Sequence, residues 1–270
     1  MDVSMNTSKS TSSYTDKWLD KHKDDLEDSM KHESSGSKIN SAKDDPAGLI
    51  ISDQLGAQLN SLQNQSRSAN DAISVGQVAE GSMKEMNSMM LDMRDLALSS
   101  ANGAYGPEQK KALDQQYQAL QSEVSREWNT SSFGSQKISN SASLDGLTGD
   151  PEVSKDMVDS VQASVNTVMA TNIQSTGAAQ EAIGALDQAM IGVSSQRAEI
   201  GAQQSSLQHE INNNQRMAVN TAESKSRITD TDYAQESTEK AKQQISVQTS
   251  IAVKAQAQMT TMLVQSLLTS

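Results

Sequence analysis

The sequence predicts an all-α fold, a long antiparallel helical hairpin or coiled-coil-like rod with helical ends. Three observations carry this. Apolar residues recur every three or four positions over stretches of about 50 residues, longer than ordinary globular helices. Proline occurs only three times in 270 residues, so few points interrupt a helix. Hydrophobic residues are 35% of the chain and aromatics 3%, too few for a thick globular core but enough for interhelical seams.

The elements follow in chain order. Residues 1–12 are rich in Ser, Thr and Asn and are expected to fray. A helix is predicted from Thr11 or Ser12 to about Ser34, with Tyr14, Trp18, Leu26 and Met30 on one i,i+4 track. Its other positions are mostly charged, so it needs a partner along that track. Gly36 breaks it. Asp44-Asp45-Pro46 opens the next helix, with Asp45 as N-cap and Pro46 in the first turn. That helix runs from Ala47 to about Ala101. Its seam includes Leu55, Leu62, Ala69, Ile73, Met83, Met86, Met90, Met93 and Ala97. Fourteen methionines are unusual, and an unbranched side chain suits seams that must accept more than one packing.

A turn at residues 101–107 leads to a helix from Pro107 to about Trp128. Residues 129–151 form a short non-helical segment with room for a small β-hairpin. From Glu152 a single helical stretch is predicted to about Ile228, with a seam through Leu186, Met190, Val193, Ile200, Leu207 and Ile211. Asp230-Thr231-Asp232 caps a last helix that ends in Met259, Met262, Leu263 and Leu267. The organisation is a first helix in 1–40, a central helical rod in 41–230 and a last helix in 231–270. Helices this long hide their stripes side by side, so the chain runs out, turns and returns, bringing its ends together.

Charge and composition exclude several functions. A net charge of −12 opposes nucleic acid, which needs clustered Lys and Arg. No apolar run is long enough for a membrane span. Without cysteine there is no thiolate chemistry, and the three histidines are scattered, so no metal site is expected. No nucleophile, base and oxyanion set can be assembled, so neither enzymatic activity nor a cofactor is expected. Asp44, Asp45 and Asp230 read as caps rather than as catalytic carboxylates.

Two motifs at opposite ends narrow the choice. SSGSKINSAKDDPAGLIIS opens at Ser34, and SRITDTDYAQE covers Ser226–Glu236; MRDLALSSANG at Met93–Gly103 and NTSSFGSQKI at Asn129–Ile138 lie between. With these the chain resembles bacterial flagellin, the subunit of the flagellar filament. The resemblance implies terminal helices in an inner core and central helices in a shell around it. It also implies polymerisation into a secreted, extracellular filament used for swimming. It looks like a short, shaft-only form, because variable outer domains are inserted where only Ile138 to Glu152 stands here. So little chain leaves the family's own hairpin in question.

The implied partners are other copies in a helical homopolymer, flagellin paralogues, an export chaperone, the export apparatus, and hook-associated and cap proteins. Asn40, Asp44, Asp45, Arg94, Arg227 and Asp230 are the expected assembly residues. Trp18, Leu26, Met30, Met259, Met262, Leu263 and Leu267 are expected in the terminal core helices. Two other readings stay open, a hook–filament junction protein and a non-polymerising secreted coiled-coil binding protein. One departure stands out. Glu33 and Ser37 occupy places where the family carries bulky apolar residues. A specialised minor subunit, a protein altered for solubility, and a more polar inner core are each consistent with it.

Overall fold

The computed structural model describes the backbone of residues 2–269, and side chains from residue 13 onward except at 261, 264, 265 and 267–270. Over these residues the chain folds into seven α-helices, α1 (Asp2–Ser35), α2 (Pro46–Ala101), α3 (Pro107–Thr130), α4 (Asp145–Thr148), α5 (Pro151–Met169), α6 (Thr176–Thr229) and α7 (Tyr233–Thr269), a short 3-10 turn (Ser141–Ser143) and one two-stranded hairpin, β1 (Ser132–Phe133) with β2 (Gln136–Lys137). The fold is thus all-α with a small antiparallel hairpin. Two compact units divide it, residues 60–218, and residues 1–59 with 219–270.

The 60–218 unit holds the apolar core. Met83, Met86, Met90, Met93 and Ala97 of α2 are fully buried, as are Ala179, Ala182, Leu186, Val193 and Ile200 of α6. Their spacings of three and four set one face of each helix against the other. Arg94 pairs with Asp187 at 2.8 Å and Arg197 with Glu80 at 3.4 Å, so α2 and α6 run antiparallel. Tyr117, Val124 and Trp128 of α3 and Val161, Val165 and Val168 of α5 complete the core. Trp128 Nε1 donates to Gln162 Oε1, so its ring is buried with its one donor satisfied. Gly192 lets α5 approach α6 closely, since a Cβ there would stand 2.6 Å from Ser164 Oγ.

The hairpin is present despite the short segment. Its two-residue loop is Gly134-Ser135, and Gly134 has φ +63°. A glycine in the left-handed region at the first loop position fits the II′ hairpin turn.

The predicted single stretch from Glu152 to Ile228 is two helices. The chain leaves helix after Met169 and re-enters at Thr176. No proline or glycine lies in the joint. Tertiary contacts make it. Ile173 is fully buried, its N–H donates to Asp114 Oδ1 and its carbonyl accepts from Ser100 Oγ. Gln121 Nε2 donates to the carbonyls of Val168 and Thr171, and Tyr117 shares a 2.6 Å hydrogen bond with Thr171. Ser175 then caps α6 through the N–H of Ala178. Two buried polar groups of α3, Asp114 and Gln121, therefore hold backbone groups at the joint, and Tyr117 holds the Thr171 hydroxyl.

In the other unit α1 pairs antiparallel with α7. Asp16 meets Lys254 at 2.6 Å, His22 Nδ1 lies 3.2 Å from Gln243 Oε1, and Glu33 accepts from Lys240. Helix α1 starts at Asp2, well before the predicted start near Thr11, in a stretch without proline or glycine. The expected packing track is also displaced. Tyr14, Trp18 and Met30 are exposed, whereas Leu19 and Ser29 are buried. Polar groups of α7 select the polar face of α1, and the apolar track is left beside it.

Candidate assembly surfaces

Two surfaces of the terminal unit bring predicted residues together. The first is the link between helices. Gly36, with φ +68°, ends α1 and turns the chain into an irregular segment. The Lys38 N–H donates to the Thr229 carbonyl at 2.7 Å, and the Thr231 N–H donates to the Gly36 carbonyl at 3.0 Å. Ser37 Oγ also donates to Thr229 O, and Ser37 faces Asp230 in an isolated antiparallel bridge. The two ends of the chain are thus laced by backbone hydrogen bonds where both motifs fall. Ser37 fits here because a hydroxyl donates to a carbonyl and an apolar side chain cannot.

Of the aspartates of this link, Asp45 and Asp232 cap helices, while Asp44 holds the turn and Asp230 binds neighbouring hydroxyls. Asp44 Oδ2 accepts from the N–H groups of Asn40 and Ser41 and from the Ser41 hydroxyl. Asn40 returns a hydrogen bond from Nδ2 to Ser37 O. Asp45 Oδ1 accepts from the N–H groups of Ala47 and Gly48, which caps α2. Asp230 accepts from the hydroxyls of Ser226 and Thr229, and Asp232 caps α7 through the N–H groups of Ala234 and Gln235. Among the described residues Arg227 pairs only along its own helix, with Glu223, and is strongly exposed. Arg94 belongs elsewhere, on the α2–α6 seam of the other unit.

The second surface is the α1–α7 pair. Among the described residues, α7 buries no large apolar side chain. Glu33 and Lys240 are held by their mutual hydrogen bond, His32 Nδ1 lies 3.4 Å from Glu236, and Lys43 reaches Asp28 at 3.6 Å. Leu26 is half-buried, while Met30, Met259, Met262 and Leu263 are exposed. Leu267 lies outside the described side chains. The polarity of the first helix thus has a local use at Glu33, a hydrogen-bonded partner for Lys240.

Two carboxyls in this unit ionise more readily than usual. The Lys240 ammonium holds Glu33 below its ordinary 4.5, and the Asn40 and Ser41 donors hold Asp44 below its ordinary 3.8. A carboxyl with a lowered folded value stabilises the fold fully above its unfolded value, and that contribution is lost as pH falls through the folded value. The terminal unit should therefore loosen as pH drops below about 4. Proteolysis at the 36–45 link should accelerate there. Unchanged cleavage rates between neutral pH and pH 3, with an acid-active protease, would contradict this.

Sequence reasoning missed the joint at 170–175 and the groups that hold it, Asp114, Gln121 and Ser100. Asp114 and Gln121, spaced seven apart on one helix face, were the available signal. Among the described residues no group of three His, Cys, Asp or Glu can hold a metal ion, and no helix is long and apolar enough to cross a membrane.

Comparison with known proteins places this arrangement. Residues 5–143 match the family model of the bacterial flagellin N-terminal helical region, and residues 183–268 match that of the C-terminal helical region. Residues 144–182, with α4, α5 and the joint, lie outside both matches. Flagellin A of Vibrio anguillarum is 33% identical over 343 positions, covering 86% of this chain and 90% of that protein. Those 343 positions exceed the 270 of this chain, so the Vibrio protein carries sequence without a counterpart here. The flagellin of Halalkalibacterium halodurans is 35% identical over 236 residues, covering 85% and 86%. The crystal structure of Bacillus cereus flagellin is similar at a TM-score of 0.46 and 23% identity, over 55% of this chain and 88% of that one.

Proposed function

Because this chain belongs to the bacterial flagellin family, and is thus a self-polymerising structural subunit of the extracellular flagellar filament and not an enzyme, we propose that its two chain ends make the inner contacts of that filament. The observation that carries this is the α1–α7 pair, helical along its length yet with most of its described large apolar side chains exposed. An exposed apolar face on a helix pair is a surface waiting for another chain. Contacts between different faces of successive copies do not close, and they generate a helical filament.

The link residues have a distinct part in this reading. Asn40, Asp44, Asp45 and Asp230 set the angle at which the terminal helices leave α2 and α6. Arg227, strongly exposed and bound only within its own helix, reaches a neighbouring copy. Flagellin paralogues, an export chaperone on α7, the export apparatus, and hook-associated and cap proteins are the further partners. They must meet the subunit before or at the ends of the polymer.

Negative-stain microscopy of the purified protein under polymerising conditions tests this. Long tubes are expected from this chain alone. Arg227→Ala should leave helix content by circular dichroism unchanged and reduce filament yield and length. Equal filaments from the variant would remove Arg227 from the interface. Failure of the unaltered chain to form tubes would overturn the homopolymer.

A further inference from the structure

We propose that the stripe Met259–Met262–Leu263 of one copy seats in the groove between α1 and α7 of the next copy, lined by Tyr14, Trp18, His22, Ile245, Thr249 and Val253. This rests on the filament reading above and assigns it a particular contact.

The stripe is left exposed by its own chain, with Met259 at 68% and Leu263 at 62%. Its three residues are spaced as one helix face, and Met262 is 69% exposed. Extending the antiparallel register of Asp16 with Lys254 brings the stripe alongside residues 7–11 of α1. The sequence there is Thr-Ser-Lys-Ser-Thr, which offers no apolar residue.

The groove is matched to it by charge. From Ala255 to Ser270 the chain carries no charged residue. A segment of this kind can be buried cheaply only against a surface that loses no ionic hydration. Two clefts of the terminal unit are candidates for it. One, about 590 Å³, is lined by Lys23, Glu27 and Lys31 among others, and covering it would desolvate three charges. The other, about 670 Å³, is lined by no Lys, Arg, Asp or Glu at all, although α1 around it is dense with charge. Trp18, 57% exposed, forms its wall, with His22 tilted against the ring at 5.7 Å. An exposed Trp and Tyr are the kind of anchor that dominates protein contacts, here with the Lys21 ammonium 6.0 Å from the Trp18 ring centroid.

Geometry makes the contact propagate. The stripe lies roughly 18 Å along α7 from the groove centre, at 1.5 Å per residue. Seating one in the other relates two copies mainly by a shift along the helix axis, and each copy keeps a free groove at one side and a free stripe at the other. Such a contact does not close.

The test uses the absence of native cysteine. Trp18→Cys/Met262→Cys protein is polymerised, confirmed as filaments by microscopy, then oxidised or treated with a short bismaleimide. Denaturing gels should show a ladder of linked chains from filaments and only monomers from unpolymerised protein. Separately, Trp18 emission in the unaltered protein should shift to shorter wavelength on polymerisation, since fully buried Trp128 is already dry. Met262→Glu should raise the critical concentration roughly tenfold or more. Filaments that give no ladder, or only an intrachain link, with Trp18 emission unmoved, would overturn this contact and leave the filament reading standing. Absence of filaments from the unaltered protein would overturn both.

Discussion

Removal of residues 1–33 should abolish filament formation while leaving the 60–218 unit folded. The apolar core of that unit is drawn from residues 72–200, and none of it comes from α1 or α7. Its unfolding should therefore remain cooperative, with a midpoint close to that of the full chain. The terminal unit fares differently. Without α1, Lys240 and Lys254 lose Glu33 and Asp16, and α7 is left as a single exposed helix. An isolated helix with no buried face is marginal in water. The groove built from both helices ceases to exist. Deletion of residues 235–270 should have the same effect by removing the other wall. Circular dichroism, urea unfolding and negative stain on each truncated protein check the three parts separately. Normal filaments from either would place the axial contacts outside the chain ends.

What the sequence made legible depended on where burial is apolar. The Met83–Met86–Met90–Met93 seam could be read because its spacing of three and four is the helix period itself. Asp45, Pro46 and Asp232 could be read as starts because capping is local chemistry, decided within three or four residues. The joint at 170–175 could not be read. Nothing within it breaks a helix, and it exists because Asp114 and Gln121, some 50 to 60 residues earlier, bind its backbone. Propensity yields to tertiary contacts in such places.

The facing of α1 failed for a related reason. An amphipathic reading follows hydrophobicity and so chose Tyr14, Trp18, Leu26 and Met30. The partner is α7, whose inward positions include Lys240, Gln243 and Lys254, and these select Glu33, His22 and Asp16 instead. Among the eleven Asp, Glu and Lys residues from Asp16 to Glu33 no pattern marks which few will be paired. The same displacement leaves the aromatic track outside, where a filament neighbour can use it. The polar inward face and the available outer face are therefore two aspects of one choice of register.

The largest effect on the folded subunit itself is expected at Met90. Its side chain is fully buried in the α2 seam, within the same core as Leu186 and Val193 of α6. Met90→Leu conserves volume and polarity and should cost less than about 1.5 kcal/mol. Met90→Glu asks the core either to take an ionised carboxylate or to hold it protonated far from its ordinary range, with no cation supplied for it. Arg94, one turn on, is already paired with Asp187. The cost of an unpaired buried charge, with the lost packing of a methionine, should exceed about 4 kcal/mol. That is a large share of the roughly 5–15 kcal/mol that a domain of this kind possesses. Urea unfolding of the two variants should separate them clearly, with Met90→Glu unfolded or nearly so at neutral pH and partly recovered as pH falls toward 5, where the carboxyl can be neutral. A Met90→Glu protein as stable as the parent would mean that this seam is open to water, and the α2–α6 pairing would need another explanation than burial of its methionines.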